Sequence, residues 1–297
     1  MNEGSVIERL TALRQYQDDG KRAPHKPLLV LLALGQLSAS GSSSMPWSAV
    51  EDRLGGLLAE FGSPKKGAPT PAYPFTRLRS DGVWQLTRDV PNDNVGPLNS
   101  EPIEGHFTAD IEDELRRSPD TVYAVARPLV EGQFPLTIAP DVLVAVGLDP
   151  DLVFSSPTAA AAVIALRKRD ANWRRQIVAA WDRSCAFCGY DGSLGGAPVG
   201  IEAAHIRWFN FDGPDDLDNG LALCSLHHKL LDRGAIGLLD PGTVVVSTSF
   251  SAVSEVGRAI YELHGRELRP RPGTLLPAPV HVAWHRQEVF KGDPLAA

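Results

Sequence analysis

The three cysteines of the chain constrain its fold more than any other feature, because all of them belong to two matched pairs. Cys185 and Cys188 are separated by two residues, and Cys224 and His227 repeat that spacing further along the chain. Two such knuckles let four side chains reach one ion, as in closed tetrahedral zinc sites. The pattern therefore predicts structural Zn²⁺ bound by these four residues. His228 follows directly and could replace His227 as the fourth ligand. The alternative, that the cysteines are small buried apolar residues, leaves their pairing unexplained.

An odd number of cysteines with a Cys-x-x-Cys pair also favours a reducing compartment over a disulfide framework. The longest apolar stretch, Leu28 to Leu37, is too short to span a membrane. The first ten residues carry acidic side chains and no apolar core, so they do not read as a secretory signal. We expect a cytoplasmic protein with no membrane partner.

The length of 297 residues predicts two domains, for which we expect the bounds 1–153 and 158–297. The predicted fold class is α+β, with a mainly helical first domain that contains a β-hairpin. The periodicity of apolar residues predicts helices at Val6 to Gln17, Pro27 to Leu37, Trp47 to Phe61, Asp110 to Arg117, Thr158 to Ala180 and Ala252 to His264. It predicts a hairpin at Phe75 to Leu86, a polar loop at 91–105, and strands at Ala235 to Leu239 and Thr243 to Ser249. Val122 to Arg127 fits a helix or a strand.

The formal net charge of −7 argues weakly against a nucleic-acid partner, but the excess acid is local. Residues 91–164 carry 3 basic and 12 acidic side chains, a net charge of −9, so the rest of the chain is close to neutral. A basic face on either flank therefore remains compatible with the composition.

Three further residues surround the second cysteine pair in a specific order. His205 lies in an apolar, strand-like stretch from Val199 to Ile206, Asn219 precedes Cys224, and His228 follows His227. This order resembles the HNH nuclease motif, a ββα-metal finger, over about residues 170–240. The resemblance implies a phosphodiester hydrolase that acts on DNA.

The chemistry of phosphodiester hydrolysis gives each of these residues a role. A neutral imidazole can take a proton from water, and His205 suits that role. His228 and Asp232 lie four residues apart, so on one helix through LALCSLHHKLLD they could share a divalent ion such as Mg²⁺ or Mn²⁺. The resemblance implies that Asn219 orients the loop that follows His205.

The chain departs from the common pattern at Ala204, where many HNH proteins carry a further metal ligand. Alanine cannot bind a metal, so His228 and Asp232 would hold the catalytic ion alone, or Glu202 would reach it. Each residue also has a structural alternative: His205 as a core histidine, Asp232 as a helix-terminal charge paired with Arg233. A zinc-stabilised DNA-binding protein without nuclease activity is the corresponding alternative for the whole chain.

Two segments of the first half combine basic groups with rigid rings, KRAPHKP at Lys21 to Pro27 and AYPFTRLRSDGVW at Ala72 to Trp84. Together they resemble the sulfur-binding domain of McrA-type, modification-dependent restriction endonucleases, which recognise phosphorothioated DNA. The resemblance covers about residues 5–150 and implies particular contacts with DNA. It assigns Tyr73 and Pro74 to the wall of a sulfur pocket and His25 and Lys26 to adjacent DNA contacts; on chemical grounds we add Arg22, Arg77 and Arg79.

An apolar pocket would favour the large, poorly hydrated sulfur of a phosphorothioate over a hydrated oxygen. Alternatively, Tyr73, Phe75 and Trp84 are core aromatics, and the arginines belong to a solvated strand face. The sequence as a whole predicts a type IV restriction endonuclease that acts on double-stranded, phosphorothioated DNA. A methylated cytosine is the alternative target. A homodimer would supply the two active sites that a double-strand cut needs.

Overall fold

The computed structural model describes residues 5–14, 20–64, 70–155 and 171–296. The chain divides into two compact units, Met1–Leu166 (unit 1) and Arg167–Ala297 (unit 2). The predicted domain bounds stay a prediction, since residues 156–170, where the two domains would meet, lie outside the described residues. The α+β fold class is confirmed by the mixture of helices and small sheets in both units.

Unit 1 is mainly helical. Its helices are α1 (Val6–Thr11), α2 (His25–Ser40), α3 (Trp47–Phe61), α4 (Ala72–Arg77), α5 (Val95–Ser100), α6 (Ala109–Arg117), α7 (Pro119–Gln133), α8 (Ala139–Val146) and α9 (Pro150–Ser155), with a 3-10 turn at Leu78–Asp81. Its strands are β1 (Met45–Pro46), β2 (Trp84–Leu86) and β3 (Glu104–Phe107), which form an antiparallel sheet in the order β1-β3-β2.

Helix α2 is the centre of unit 1. Every residue from Leu28 to Leu34 is fully buried, as expected for a helix that is apolar on all sides. Helices α3, α4, α7 and α8 pack around it. A Cβ on Gly35 would lie 1.8 Å from the carbonyl oxygen of Val146, so a glycine is required where α2 meets the end of α8.

The predicted hairpin at Phe75 to Leu86 is wrong. FTRL lies in α4 and the following 3-10 turn, and Trp84 in β2 pairs with Phe107 in β3 instead. The error has a physical reason, because Phe75 and Leu78 lie three residues apart and both are fully buried, which is the spacing of one helical face. The sequence pattern is also compatible with the alternating burial of a strand, but the packing of this face against the core favours a helix.

Three other expectations for unit 1 have different outcomes. The segment 91–105, predicted as a polar loop, contains α5 and the start of β3. Val122 to Arg127, left open between helix and strand, lies in α7, which continues through Pro128. The helix predicted at Val6 to Gln17 ends at Thr11, and residues 15–19 lie outside the described part of the chain.

Unit 2 consists of short helices and two-stranded sheets. Its helices are α10 (Ala171–Ala180), α11 (Ser225–Asp232), α12 (Glu255–Arg258) and α13 (Pro279–Glu288), with 3-10 turns at Phe209–Phe211, Leu217–Asn219 and Tyr261–Leu263. Its antiparallel strand pairs are β4 (Ser193–Leu194) with β5 (Ala197–Pro198), β6 (Ile201–His205) with β7 (Gly220–Cys224), and β8 (Ile236–Leu238) with β9 (Val244–Val246).

The strands β6 and β7 and the helix α11 form one ββα unit. Ile201 pairs with Cys224 and His205 pairs with Gly220, and α11 begins directly after β7. The apolar core beneath this unit includes Trp173 and Ile177 from α10. The ββα order agrees with the predicted finger.

The remaining expectations for unit 2 are mostly confirmed. The predicted strands at Ala235 to Leu239 and Thr243 to Ser249 are β8 and β9. The helix predicted at Ala252 to His264 is interrupted: α12 has four residues and a 3-10 turn follows. Residues 158–170 of the predicted helix Thr158 to Ala180 lie outside the described residues. Across the described parts of both units, no helix combines the length and the apolar composition that a membrane span requires.

Candidate functional site

The four residues predicted to bind zinc come together in unit 2. The ligand atoms of Cys185, Cys188, Cys224 and His227 all lie within 4.8 Å of one another. The His227 Nδ1 atom lies 3.1 Å from the Cys224 sulfur and 3.4 Å from the Cys185 sulfur. Three thiols and an imidazole form a donor set that zinc sites use, so this cluster could hold a metal ion.

The local fold explains why the two knuckles meet. Cys224 ends β7 and is the N-cap residue of α11, which places His227 in the first turn of that helix. The first knuckle joins this strand through the backbone N–H of Ala186, which donates to the Ala222 carbonyl at 2.7 Å. The Cys224 and His227 side chains hydrogen-bond to the Cys185 sulfur and lower the pKa of that thiol, whereas the hydrogen bond with Cys185 raises the pKa of the Cys224 thiol.

His205, the predicted general base, lies at the last position of β6. It is 9% exposed, and its ring stacks on the indole of Trp173 with a centroid separation of 3.9 Å and an interplanar angle of 14°. Its Nε2 atom lies 2.8 Å from the Asp215 carboxylate. The Trp173 indole N–H in turn donates to the backbone carbonyl of Asp216 at 2.9 Å. One face of the His205 ring and one nitrogen are therefore fixed by neighbouring residues.

Asn219 is fully buried and closes the loop that follows His205. Its side-chain oxygen accepts a hydrogen bond from the Arg207 N–H at 2.9 Å. Its amide group donates to the carbonyls of Arg207 and Pro214 at 3.1 and 3.0 Å. Asn219 thus ties both sides of the loop to the start of β7.

His228 lies between two carboxylates. Its Nδ1 atom is 2.7 Å from Glu202 on β6, and its Nε2 atom is 3.4 Å from Asp232, one turn later in α11. The hydrogen bond with His228 lowers the pKa of the Glu202 carboxyl group, to which Ser225 also donates at 2.8 Å. His228 therefore points toward Glu202 and Asp232, and His227 alone of the two neighbouring histidines belongs to the cysteine cluster.

The helix assumed through LALCSLHHKLLD begins later than expected. The first four of these residues belong to β7, where they are mostly buried and pair with β6, and α11 starts at Ser225. His228 and Asp232 both remain in the helical part, so their spacing of four residues still puts them on one side. Ala204 is fully buried in the apolar core.

Of the two residues predicted to bind sulfur, one is exposed and the other is buried in unit 1. Tyr73 in α4 is 45% exposed, whereas its neighbour Pro74 is buried. His25 is the first residue of α2 and is partly buried. Helices α2 and α4, which carry these residues, pack against each other. By contrast, Phe75 and Trp84 are core aromatics, as the alternative reading expected.

The basic residues of unit 1 make contacts within the protein. Arg22 is only 5% exposed, donates to the Phe61 carbonyl at 2.7 Å and covers the ring of Phe134. This placement argues against the predicted DNA contact, because a buried guanidinium cannot reach a phosphate without leaving its partners. Lys26 forms an ion pair with Asp81, whose side chain is 3% exposed.

The two arginines of the AYPFTRLRSDGVW segment also bind other residues of unit 1. The Arg77 guanidinium lies over the Tyr73 ring, 4.0 Å from its centroid, and binds Asp93. Arg79 binds Asp89, the Val90 carbonyl and the Asn92 side chain. Their predicted contacts with DNA remain predictions.

Sequence reasoning did not single out Trp173, Asp215 or Asp93. Asp215 and Asp216 are adjacent in the sequence, and nothing in their order indicates which carboxylate meets His205. Asp93 lies in a segment predicted to be loop, 16 residues from Arg77. Trp173 and Ile177 lie four residues apart, so a helix over Ala171–Ala180 places both on one face. This spacing is the feature of the sequence that could have indicated that Trp173 packs in the core.

Comparisons with known proteins cover both units. The model of the family described as "ScoMcrA-like, DNA sulfur-binding domain" matches residues 3–151, and that of the family described as "HNH endonuclease" matches residues 185–239. The chain is similar to the solved structure "Sulfur binding domain of ScoMcrA complexed with phosphorothioated DNA", with 22% identity and a TM-score of 0.41, over 48% of this chain and 99% of that chain.

Two solved restriction endonucleases are also similar. The phosphorothioation-dependent type IV enzyme ScoMcrA shares 22% identity with a TM-score of 0.42, over 50% of this chain and 35% of that chain. The modification-dependent enzyme TagI shares 26% identity with a TM-score of 0.34, over 44% of this chain and 42% of that chain. No curated protein matches the chain. Because the first family model covers half of the chain, this protein belongs to the family with a ScoMcrA-like DNA sulfur-binding domain.

Proposed function

We propose that this protein is a type IV restriction endonuclease that binds phosphorothioated double-stranded DNA through unit 1 and hydrolyses nearby phosphodiester bonds with unit 2. The observation that carries the proposal is the combination, in one chain, of a sulfur-binding-domain match over residues 3–151 and an HNH-endonuclease match over residues 185–239. ScoMcrA, whose sulfur-binding domain defines the family, is described as phosphorothioation-dependent. A DNA substrate fits the predicted cytoplasmic location.

The contacts of His205 support its role as the general base. If the His205 Nε2–H donates a hydrogen bond to the Asp215 carboxylate, the Nδ1 atom carries the lone pair that would remove a proton from water. The carboxylate also stabilises the imidazolium that forms, as the aspartate does in a Ser-His-Asp triad. We assign Asp215 as a positioning residue on this ground. Asn219 holds the loop between His205 and β7, which fixes the position of both residues.

The residues around His228 fit a divalent cation such as Mg²⁺ or Mn²⁺. The His228 Nε2 atom and the Asp232 carboxylate face each other and would hold the ion together. Glu202 accepts the Nδ1–H of His228 instead, which fixes the tautomer that presents Nε2. A cation bound there would stabilise negative charge on the scissile phosphate. In this arrangement the ion is held without a ligand at position 204, where Ala204 is buried. The Glu202 carboxylate orients His228 and does not bind the ion.

We assign structural zinc to the cysteine cluster of unit 2. The donor set of Cys185, Cys188, Cys224 and His227 leaves no open position, as is typical of structural rather than catalytic zinc. The cluster ties the first knuckle to β7 and α11 and so supports the helix that carries His228.

In unit 1 we assign Tyr73 and Pro74 to the wall of the sulfur pocket and His25 to an adjacent DNA contact. The large exposed fraction of the Tyr73 ring supports this, since a core aromatic would be buried. The aromatic ring of Tyr73 presents apolar surface that suits sulfur better than a hydrated oxygen, and the buried Pro74 lies directly beside it in the chain.

A cleavage assay tests the proposal. The purified chain is incubated with phosphorothioated plasmid and with the same plasmid unmodified, in Mg²⁺ and in Mn²⁺. We expect cleavage of the modified plasmid only, and a loss of about 10²–10⁴-fold in rate for His205→Ala. His264→Ala is the matched control, because this ring lies outside the ββα unit and bonds to the backbone of β9.

Four results would contradict parts of the proposal. Equal cleavage of both plasmids would exclude phosphorothioate as the target. Preference for a plasmid with methylated cytosine would support that alternative modification instead. Unchanged cleavage by His205→Ala would exclude His205 as the base, and absence of cleavage in every metal would favour a DNA-binding protein without nuclease activity.

A further inference from the structure

The exposed ring of Tyr73 packs against a charged group. The Arg77 guanidinium, one helical turn later, lies 4.0 Å from the ring centroid. At this distance the guanidinium and the ring attract each other through a cation–π interaction. The ring is therefore restrained although 45% of the residue is exposed.

Arg77 is itself fixed by Asp93. The Arg77 Nε atom lies 2.9 and 3.1 Å from the two carboxylate oxygens, and the Arg77 Nη2 atom binds the second oxygen at 2.5 Å. Such a two-pronged contact fixes the plane of the guanidinium as well as its position. Because Asp93 pairs with Arg77, the two side chains together carry no net charge to attract a phosphate.

Asp93 is fixed in turn by the helix that carries Tyr73. Its backbone N–H donates to the Thr76 hydroxyl at 3.1 Å, and that hydroxyl donates to the Ala72 carbonyl at 2.8 Å. Asp93 has a φ of 62°, in the left-handed region that few residues other than glycine adopt. Aspartate is among the few residues that tolerate this conformation, which directs the Asp93 backbone N–H toward Thr76.

We propose that Arg77 and Asp93 form a clamp that orients Tyr73 for sulfur recognition, and that Arg77 is a positioning residue rather than a phosphate contact. The inference rests on the proposed function, because it assumes that Tyr73 contacts the sulfur. A ring that is already oriented loses less conformational freedom on binding, and its distance from the sulfur is defined. The clamp therefore increases the preference for phosphorothioate over phosphate.

Binding of labelled duplexes, measured by fluorescence anisotropy without divalent ions and at several salt concentrations, tests the clamp. Each full-length variant is titrated with a phosphorothioated duplex and with the same duplex unmodified. Arg77→Lys keeps the charge and loses the planar contact, and Asp93→Asn leaves Arg77 unneutralised. We expect both variants to lower the preference for the modified over the plain duplex by about tenfold, and Arg77→Lys to leave the binding of plain DNA and its salt dependence unchanged.

A phosphate contact predicts the opposite pattern. Arg77→Lys would then bind both duplexes almost as well as the wild type, and Asp93→Asn would bind both more tightly, because it adds net positive charge. Either result would overturn the clamp. Arg88→Lys is the matched control, since this arginine lies in the same unit and pairs with Glu101 at an exposed position.

Two further measurements separate the possible failures. If the wild type itself binds both duplexes equally, the proposed function fails. If the wild type prefers the modified duplex and both variants keep that full preference, the clamp alone fails. Fluorotyrosine labelling reports on the ring without DNA: the ¹⁹F resonance assigned to Tyr73 through Tyr73→Phe should shift in Arg77→Lys. An unshifted resonance in a folded variant would contradict the clamp.

Discussion

Units 1 and 2 hold their functional residues in different ways. In unit 1, the helices that carry His25 and Tyr73 pack on a core around α2, where the residues from Leu28 to Leu34 are fully buried. In unit 2, the ββα element consists of two five-residue strands and an eight-residue helix, and a cluster of four side chains that could hold a metal ion connects it to the preceding loop. Apolar burial supports both sites, and the second depends in addition on polar contacts and on a cluster that could hold a metal ion.

The difference has a thermodynamic consequence. Burial of apolar side chains stabilises a domain without any ligand. A metal bound only by the folded state adds its binding free energy to folding, so the same domain loses stability when the metal is removed. The two units should therefore respond differently to the same perturbation.

The largest difference is expected on removal of the metal. Chelation, or Cys185→Ser, should unfold the ββα element and abolish cleavage, because structural zinc contributes about 10–16 kcal/mol in zinc-finger peptides. Binding of phosphorothioated DNA by unit 1 should persist. Tryptophan fluorescence measures the effect well, since Trp173, Trp181, Trp208 and Trp284 lie in unit 2 and only Trp47 and Trp84 lie in unit 1. Unchanged emission with retained cleavage would show that the cluster is not structural.

The stability of unit 1 should depend on buried contacts instead of a metal, and a buried ion pair in this unit tests that expectation. Lys26→Met leaves the Asp81 carboxylate, 3% exposed, without its cation, and should lower the free energy of unfolding by about 3 kcal/mol. Arg88→Met, which removes a pair exposed by 64% and 42%, should cost less than about 1 kcal/mol. Urea unfolding monitored by circular dichroism measures both.

The same variant bears on the predicted DNA contact of Lys26. If the lysine mainly supports Asp81, the folded fraction of Lys26→Met should bind modified DNA as the wild type does. A stable Lys26→Met protein with weaker binding to both modified and plain duplexes would show instead that Lys26 contacts the backbone.

The sequence predicted unit 2 better than unit 1 for a physical reason. Metal-binding residues have fixed spacings, so Cys185, Cys188, Cys224 and His227 identify their cluster without knowledge of the fold. The buried helix α2 was also predictable from its unbroken apolar run. The AYPFTRL segment was not, because its apolar residues fit both a strand and a short helix, and packing of Phe75 and Leu78 against the core decides between them.

The sequence also did not predict polar contacts between residues of different loops and secondary-structure elements. The neutralisation of Arg77 by Asp93 depends on the path of the loop after β2, and the pairing of His205 with Asp215 depends on how Asn219 closes the loop between β6 and β7. Such polar contacts have no periodicity and no fixed spacing. They are therefore visible only once the backbone is known.

The smallest effect in this series is expected for Asp215, the polar support of unit 2 that involves no metal ligand of the cysteine cluster. Asp215→Asn removes the charge beside His205 Nε2 and should slow cleavage of phosphorothioated plasmid by about 10–100-fold, as for other residues that orient a catalytic side chain. Binding of the modified duplex and thermal stability should not change, and Asp215→Glu should restore part of the rate. Asp216→Asn is the matched control, because this residue contributes its backbone carbonyl, which accepts from Trp173. An equal loss of rate in the control, or a loss of binding or stability in Asp215→Asn, would show that the loop as a whole, and not the Asp215 carboxylate, supports His205.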